Sequence, residues 1–201
     1  MNEQRKITVL SVLNEGYLLG VKNAASIIVA TILWLVTIWI PYLNVGTTIA
    51  MAILPVALSK GKVISPFFIF EGKYRQYMGE YFNLIGLMSM SLMPAFLFMI
   101  VPGIIISIGW SLAIYLLLDK AVSPSEAMIM SNKATYGYKW TIFGVNAALI
   151  VLLIILYSII SSICDGGLLA FLFFVLILLY TFINIGCSAV IYKNLTADET
   201  A

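Results

Sequence analysis

The stretch Lys120-Ala121-Val122-Ser123-Pro124-Ser125-Glu126-Ala127-Met128-Ile129-Met130-Ser131-Asn132-Lys133-Ala134-Thr135-Tyr136-Gly137-Tyr138-Lys139-Trp140 lies between two apolar segments and decides how the chain is read. Ser123 has the character of an N-cap, Pro124 occupies a first helical position where its missing N–H is harmless, and Glu126 is placed to reach back as in a capping box. A helix therefore starts here at a water boundary. Ala127, Met130, Ser131, Ala134 and Tyr138 recur at spacings of three and four on one side, with Glu126, Asn132, Lys133 and Tyr136 toward the other. The spacing predicts an interfacial helix over residues 123–140 that feeds into the membrane.

Outward from this stretch the chain is strongly apolar. Hydrophobic residues make up 62% of its 201 residues and charged residues 10%, too few to cover a water-soluble domain of this length. The 11 basic and 9 acidic residues leave a formal charge of +2, scattered and without a nucleic-acid footprint. Arg5 and Lys6 precede a polar segment, not a short apolar run with a cleavage site, so the first hydrophobic segment is expected to be retained. Residues 7–22, with Ile7, Leu10, Leu13, Tyr17 and Leu18 on one face, read as a first interfacial helix.

Six apolar spans follow, at about residues 24–43, 45–59, 84–101, 104–118, 141–163 and 168–192. The second is short and contains Pro55. Its 15 or so residues reach about 22 Å, against a hydrocarbon core of about 30 Å. Between the second and third spans, residues 65–81 carry the stripe Phe67, Phe70, Tyr74, Tyr77 and Tyr81 and read as another interfacial helix. Six spans place both termini and all the basic residues, from Arg5 to Lys193, on one side. By the positive-inside rule that side is cytoplasmic.

A shift of 58 residues superposes Lys62 on Lys120, Ser65-Pro66 on Ser123-Pro124, Arg75 on Lys133, Gly79 on Gly137, Phe82 on Trp140 and Gly86 on Gly144. The expected fold is all-α and polytopic: three parallel units, each an interfacial helix followed by a transmembrane hairpin.

The chemistry is limited. The chain has no histidine, which removes the commonest general base and most zinc sites, and Cys164 and Cys187 lack paired metal spacing. No cofactor or metal is expected. The spans hold no Asp, Glu, Lys or Arg away from their ends, which disfavours ion coupling. Neutral polar residues remain inside them. Asn146 and Asn184 are expected to bond across the last two spans, and Gly86, Gly109, Gly144 and Gly186 to pack helices. Two short, interrupted segments at corresponding positions would form a midplane site in which Thr47, Thr48 and Pro55 face Ser107, Gly109 and Ser111. On the cytoplasmic face Lys60, Lys62, Lys73 and Arg75 lie among aromatic residues and offer a seat for anionic headgroups.

Pro102-Gly103-Ile104-Ile105, then Trp110-Ser111-Leu112-Ala113, Asp119, Ser123-Pro124-Ser125-Glu126-Ala127, Ser131, Gly137 and Trp140, resembles the membrane-domain family named after glycerophosphoryl diester phosphodiesterases, with its related bacterial six-span proteins. Residues 16–23 look like that family's amphipathic lead-in. The resemblance implies the fold and residence in the bacterial inner membrane. It does not imply the diesterase activity, which in multidomain members belongs to a separate barrel. The motif then marks a structural hinge, with Pro102-Gly103 as a turn. The expected function is that of a non-enzymatic accessory or scaffold binding lipid headgroups, a protein partner or a second copy of the chain. A small transporter or lipid translocator built on the two short spans is the alternative.

Overall fold

The computed structural model describes residues 7–61 and 65–197; Arg5, Lys6 and Lys62 lie outside them. Among the described residues every regular element is helical: α1 (Val9–Lys22), α2 (Ala24–Thr37), α3 (Pro41–Ser59), two 3-10 turns (Pro66–Phe70 and Gly72–Tyr77), α4 (Met78–Phe98), α5 (Ile100–Gly109), α6 (Ala113–Lys120), α7 (Pro124–Ala134), α8 (Lys139–Ile163) and α9 (Gly166–Leu195). Five stretches are long and apolar enough to cross a membrane: Pro41–Ser59, Gly72–Phe98, Ile100–Lys120, Lys139–Ile163 and Gly166–Leu195. Helices α1 and α2, bent by 75° at Asn23, meet the same measure only when taken together.

Several boundaries differ from the sequence reading, each for a local reason. Pro41 opens α3 at a position needing no N–H, so α2 stops at Thr37 and the second apolar helix gains a turn at its start. Residues 65–81 do not form one helix, because Glu71 is extended (φ −63°, ψ 126°) between the two 3-10 turns and α4 begins at Met78. Pro102 and Gly103 sit in the first turn of α5, and the chain reverses instead at the extended Met99. The helix begun at Ser123 stops at Ala134. Gly137 then adopts φ +83°, a backbone state that strains other residues, and Trp140 belongs to α8. Helix α6 ends where Ala121 takes φ 51°; a β-carbon there costs roughly 1 kcal/mol or more.

Burial is concentrated at one end of the long helices. Helix α8 buries Ile142, Val145 and Leu149 of its first half, whereas α9 buries mainly residues of its second half, from Phe182 to Tyr192. Around these halves pack α1 and α3, with α6 reaching α9 through Tyr115 and Asp119 and α7 packed behind α6. The remaining parts of α4 and α5 (Met90, Leu97, Phe98, Ile100) and of α8 and α9 (Ile154, Ile159, Phe171) expose large apolar side chains, as lipid-facing surfaces do.

Helix α1 does not simply rest on the surface. Its buried residues are Val12, Gly16 and Gly20, and this glycine face lies against α9. A β-carbon on Gly16 would come within 2.7 Å of the Cys187 backbone, and one on Gly20 within 2.7 Å of the Phe182 carbonyl oxygen. Gly186 of α9 meets the Gly16 carbonyl in the same crossing. Lipid tails are as apolar as leucine, so helices associate in membranes by close van der Waals approach, and small residues four apart allow it.

The glycines therefore sort by location. Gly16→Val or Gly186→Val is expected to destabilise the fold by about 1–3 kcal/mol, because the obstruction is backbone. Gly79→Ala, with open space around it, is expected to be neutral or stabilising by up to about 1 kcal/mol. Thermal unfolding of the detergent-solubilised variants checks the contrast; equal losses at all three positions would contradict the close-packed crossing.

Candidate functional site

One group of buried polar side chains meets where α5 breaks into α6. Residues Trp110–Leu112 interrupt the helix and free backbone groups inside the protein, which must find partners there. Ser131 of α7 supplies them with one hydroxyl. Its Oγ donates to the Gly109 carbonyl at 2.7 Å and accepts the Leu112 N–H at 3.1 Å. Thr135 donates to the Ser131 carbonyl at 2.9 Å, and both side chains are fully buried. Helix α7 is held in place at its start by Ser123, whose hydroxyl accepts the Glu126 N–H at 3.4 Å.

One helix further on, Asp119 joins three helix ends. Its carboxylate forms an ion pair with Lys60, the C-cap of α3, and accepts the Tyr192 hydroxyl of α9 at 2.7 Å. Tyr192 also stands edge-on to Tyr115, with ring centroids 5.9 Å apart. Between this junction, α8 and α9 lies a cavity of about 220 Å³ whose polar lining includes Ser111, Tyr115, Asn146, Asn184 and Ser188.

The expected sites are distributed as follows. Lys60 is paired with Asp119. Lys73 is paired with Glu71 and lies 5.0 Å from the Tyr74 ring. The Glu71 hydrogen bond holds the Lys73 ammonium above its ordinary value, so Lys73 keeps its charge until pH climbs past that raised value. Burial likewise pushes the Tyr74 phenol up. Arg75 stacks 5.5 Å from the Tyr42 ring, with its stem against Gly46. Lys60 and Arg75 therefore stand at opposite ends of α3, roughly 25 Å apart at 1.5 Å per residue.

The midplane grouping is not brought together. Thr47 shares a 2.8 Å hydrogen bond with Thr37, and Thr48 accepts the Trp34 indole N–H at 2.9 Å, so both are engaged by α2. Pro55 is buried inside α3. Ser107 bonds its own helix at the Ile104 carbonyl, Gly109 faces Asn132 and Lys139, and Ser111 lines the cavity beside α8 and α9. Asn146 and Asn184 do not bond each other. They donate to Ile142 and to the Tyr180 hydroxyl on their own helices, yet both line the same cavity. Among the motif residues, Gly103 lies against the Phe96 ring and Trp140 is exposed, edge-on to Phe143.

Three features escaped the sequence reading. The Gly16-x-x-x-Gly20 spacing was present as a signal. The pairing of Asp119 with Lys60 and Tyr192 was not, since it joins residues far apart in the chain. The cavity likewise depends on where the α5–α6 break falls. Comparison with protein-family models, curated proteins and solved structures returned no match.

Removing the buried hydroxyl tests the break. Ser131→Ala leaves the Leu112 N–H without its partner and the Gly109 carbonyl with only the longer 3.3 Å bond from Thr135, and is expected to cost about 1–3 kcal/mol. Ser131→Cys keeps the size with a weaker donor and is expected to fall between. Unfolding midpoints unchanged in both variants would contradict the bridging role.

Proposed function

We propose that the protein is a non-enzymatic multi-pass membrane protein whose cytoplasmic layer docks anionic lipid headgroups and serves as an accessory or scaffold. The observation that carries this reading is a patch at the start of α3. Trp39 and Tyr42 are 89% and 66% exposed there, Arg75 stacks on Tyr42, and the segment leading back to them carries Phe67, 66% exposed, and Lys73. Aromatic rings with cations among them are what a headgroup layer accepts. The ion pair on Lys73 is exposed on both sides and therefore a weak competitor for a phosphate.

The same patch bears on how the chain meets the bilayer. If α3 crossed the membrane, Lys60 and Arg75 would be separated by most of its thickness. On our reading the α2–α3 hairpin lies along the cytoplasmic surface, covering the buried half of α9. The crossing elements are then α4, α5 with α6, α8 and α9. Four crossings keep both termini in the cytoplasm and leave the described basic residues on that side, as the positive-inside rule favours. Residence in the bacterial inner membrane is part of the proposal and rests on the family resemblance. A transporter site shared by the short helices loses its support, because Thr47 and Thr48 spend their hydrogen bonds on α2.

Replacing Lys62, Lys73 and Arg75 together by glutamine tests the headgroup site. At about 1 kcal/mol per surface cation, retention of phosphatidylglycerol over phosphatidylcholine is expected to fall roughly 100-fold, with insertion unaffected. Native mass spectrometry from mixed-lipid nanodiscs reads it; undiminished retention would overturn the proposal.

A further inference from the structure

We propose that the cavity between the α5–α6 break, α8 and α9 is a binding site for an uncharged, hydroxyl-rich group of hexose size. The lining argues for the class. Ser111, Tyr115, Asn146, Asn184 and Ser188 contribute hydroxyl and amide groups, and among the described residues no charged one contributes to the wall. A charged ligand would enter a low-dielectric site without a counter-ion, at a penalty of several kcal/mol or more. An apolar one would strip these polar groups of partners.

Their hydrogen-bonding capacity is only partly used. The Asn146 amide donates to Ile142 and Ser111 donates to Ile108, both within their own helices. The Asn184 amide donates to Tyr180, Ser188 donates to the Asn184 carbonyl at 3.4 Å, a long contact, and the Tyr115 and Ser188 hydroxyls pair with each other. Each asparagine carries two N–H donors and two carbonyl lone pairs, so a ligand rich in hydroxyls finds both donors and acceptors.

Position supports the inference further. Asn146 is exposed seven residues into α8, beyond Lys139, where that helix is otherwise apolar, and Ser111 is exposed beside it in the cavity wall. Cys187 and Ile191 are buried parts of the same wall. Polar side chains exposed at that depth are costly against lipid tails and are satisfied by a polar occupant. A volume of about 220 Å³ is about seven waters at about 30 Å³ each, or one group of about a dozen non-hydrogen atoms. The hydroxyls can come from a free sugar or from the headgroup of a neutral glycolipid.

The full chain in phosphatidylcholine nanodiscs distinguishes these sources. Monoglucosyl diacylglycerol, free glucose and phosphatidylglycerol are titrated separately and bound species counted by native mass spectrometry. Saturable binding of the glucolipid or of glucose is expected, weakened about tenfold by Asn184→Leu and by Asn146→Leu. Saturation by glucose at the same concentration as by glucolipid identifies the free sugar; saturation by glucolipid alone identifies the lipid. Ser188→Ala, the loss of one oxygen, serves if a leucine variant does not fold. Absence of binding by both sugars, or binding unchanged in the variants, would overturn the proposal. Phosphatidylglycerol retention is expected to be unaffected by Asn184→Leu, which separates this site from the headgroup patch.

Discussion

The architecture turns on the requirement that a backbone amide removed from water must still be hydrogen-bonded. At Trp110–Leu112 a helix breaks inside the protein, and a single hydroxyl, Ser131, serves the carbonyl on one side of the break and the N–H on the other. That arrangement carries the chain across the break into α6, whose Asp119 meets Lys60 and Tyr192. The cavity wall at Ser111 and Tyr115 is a product of the same break. Helix α7 matters less as a surface element than as the carrier of the serine that bridges the break.

The second constraint is proximity. Without a hydrophobic force to drive helices together in lipid, association depends on how closely backbones approach. Gly16, Gly20 and Gly186 allow α1 to press onto α9, while Leu10, Tyr17 and Leu18 remain exposed on its other side. Helix α1 thus turns its glycines inward together with Val12, Leu13 and Leu19, and keeps Leu10, Tyr17 and Leu18 outward.

These constraints explain which features were legible in the sequence. Long apolar runs such as Lys139–Ile163 and Gly166–Leu195 declare themselves by composition, and the Ser123-Pro124 helix start by its local chemistry. Segments whose shape depends on distant partners did not. Ser65-Pro66 matches Ser123-Pro124 residue for residue, yet it starts a short 3-10 turn because Glu71 and Gly72 interrupt the path. The inferred three-unit repeat therefore captured shared boundary chemistry, whereas the elements that follow each boundary differ. Hydropathy selects α3 as a span, and the helix is long and apolar enough to be one, while part of the same apolar surface is buried against α9, α6 and the 3-10 turns. Burial in protein and burial in lipid leave the same compositional mark.

The placement of α3 is the claim from which the headgroup patch and the count of crossings follow, and thiol labelling tests it most directly. Trp39→Cys, in a background with Cys164→Ser and Cys187→Ala, is compared in intact cells with native Cys164, in the α8–α9 turn, retained alone. The account predicts that a membrane-impermeant maleimide added from outside reaches Cys164 and spares residue 39 until the membrane is permeabilised. Labelling of both positions from outside would mean that α2 and α3 cross the bilayer, and would contradict it.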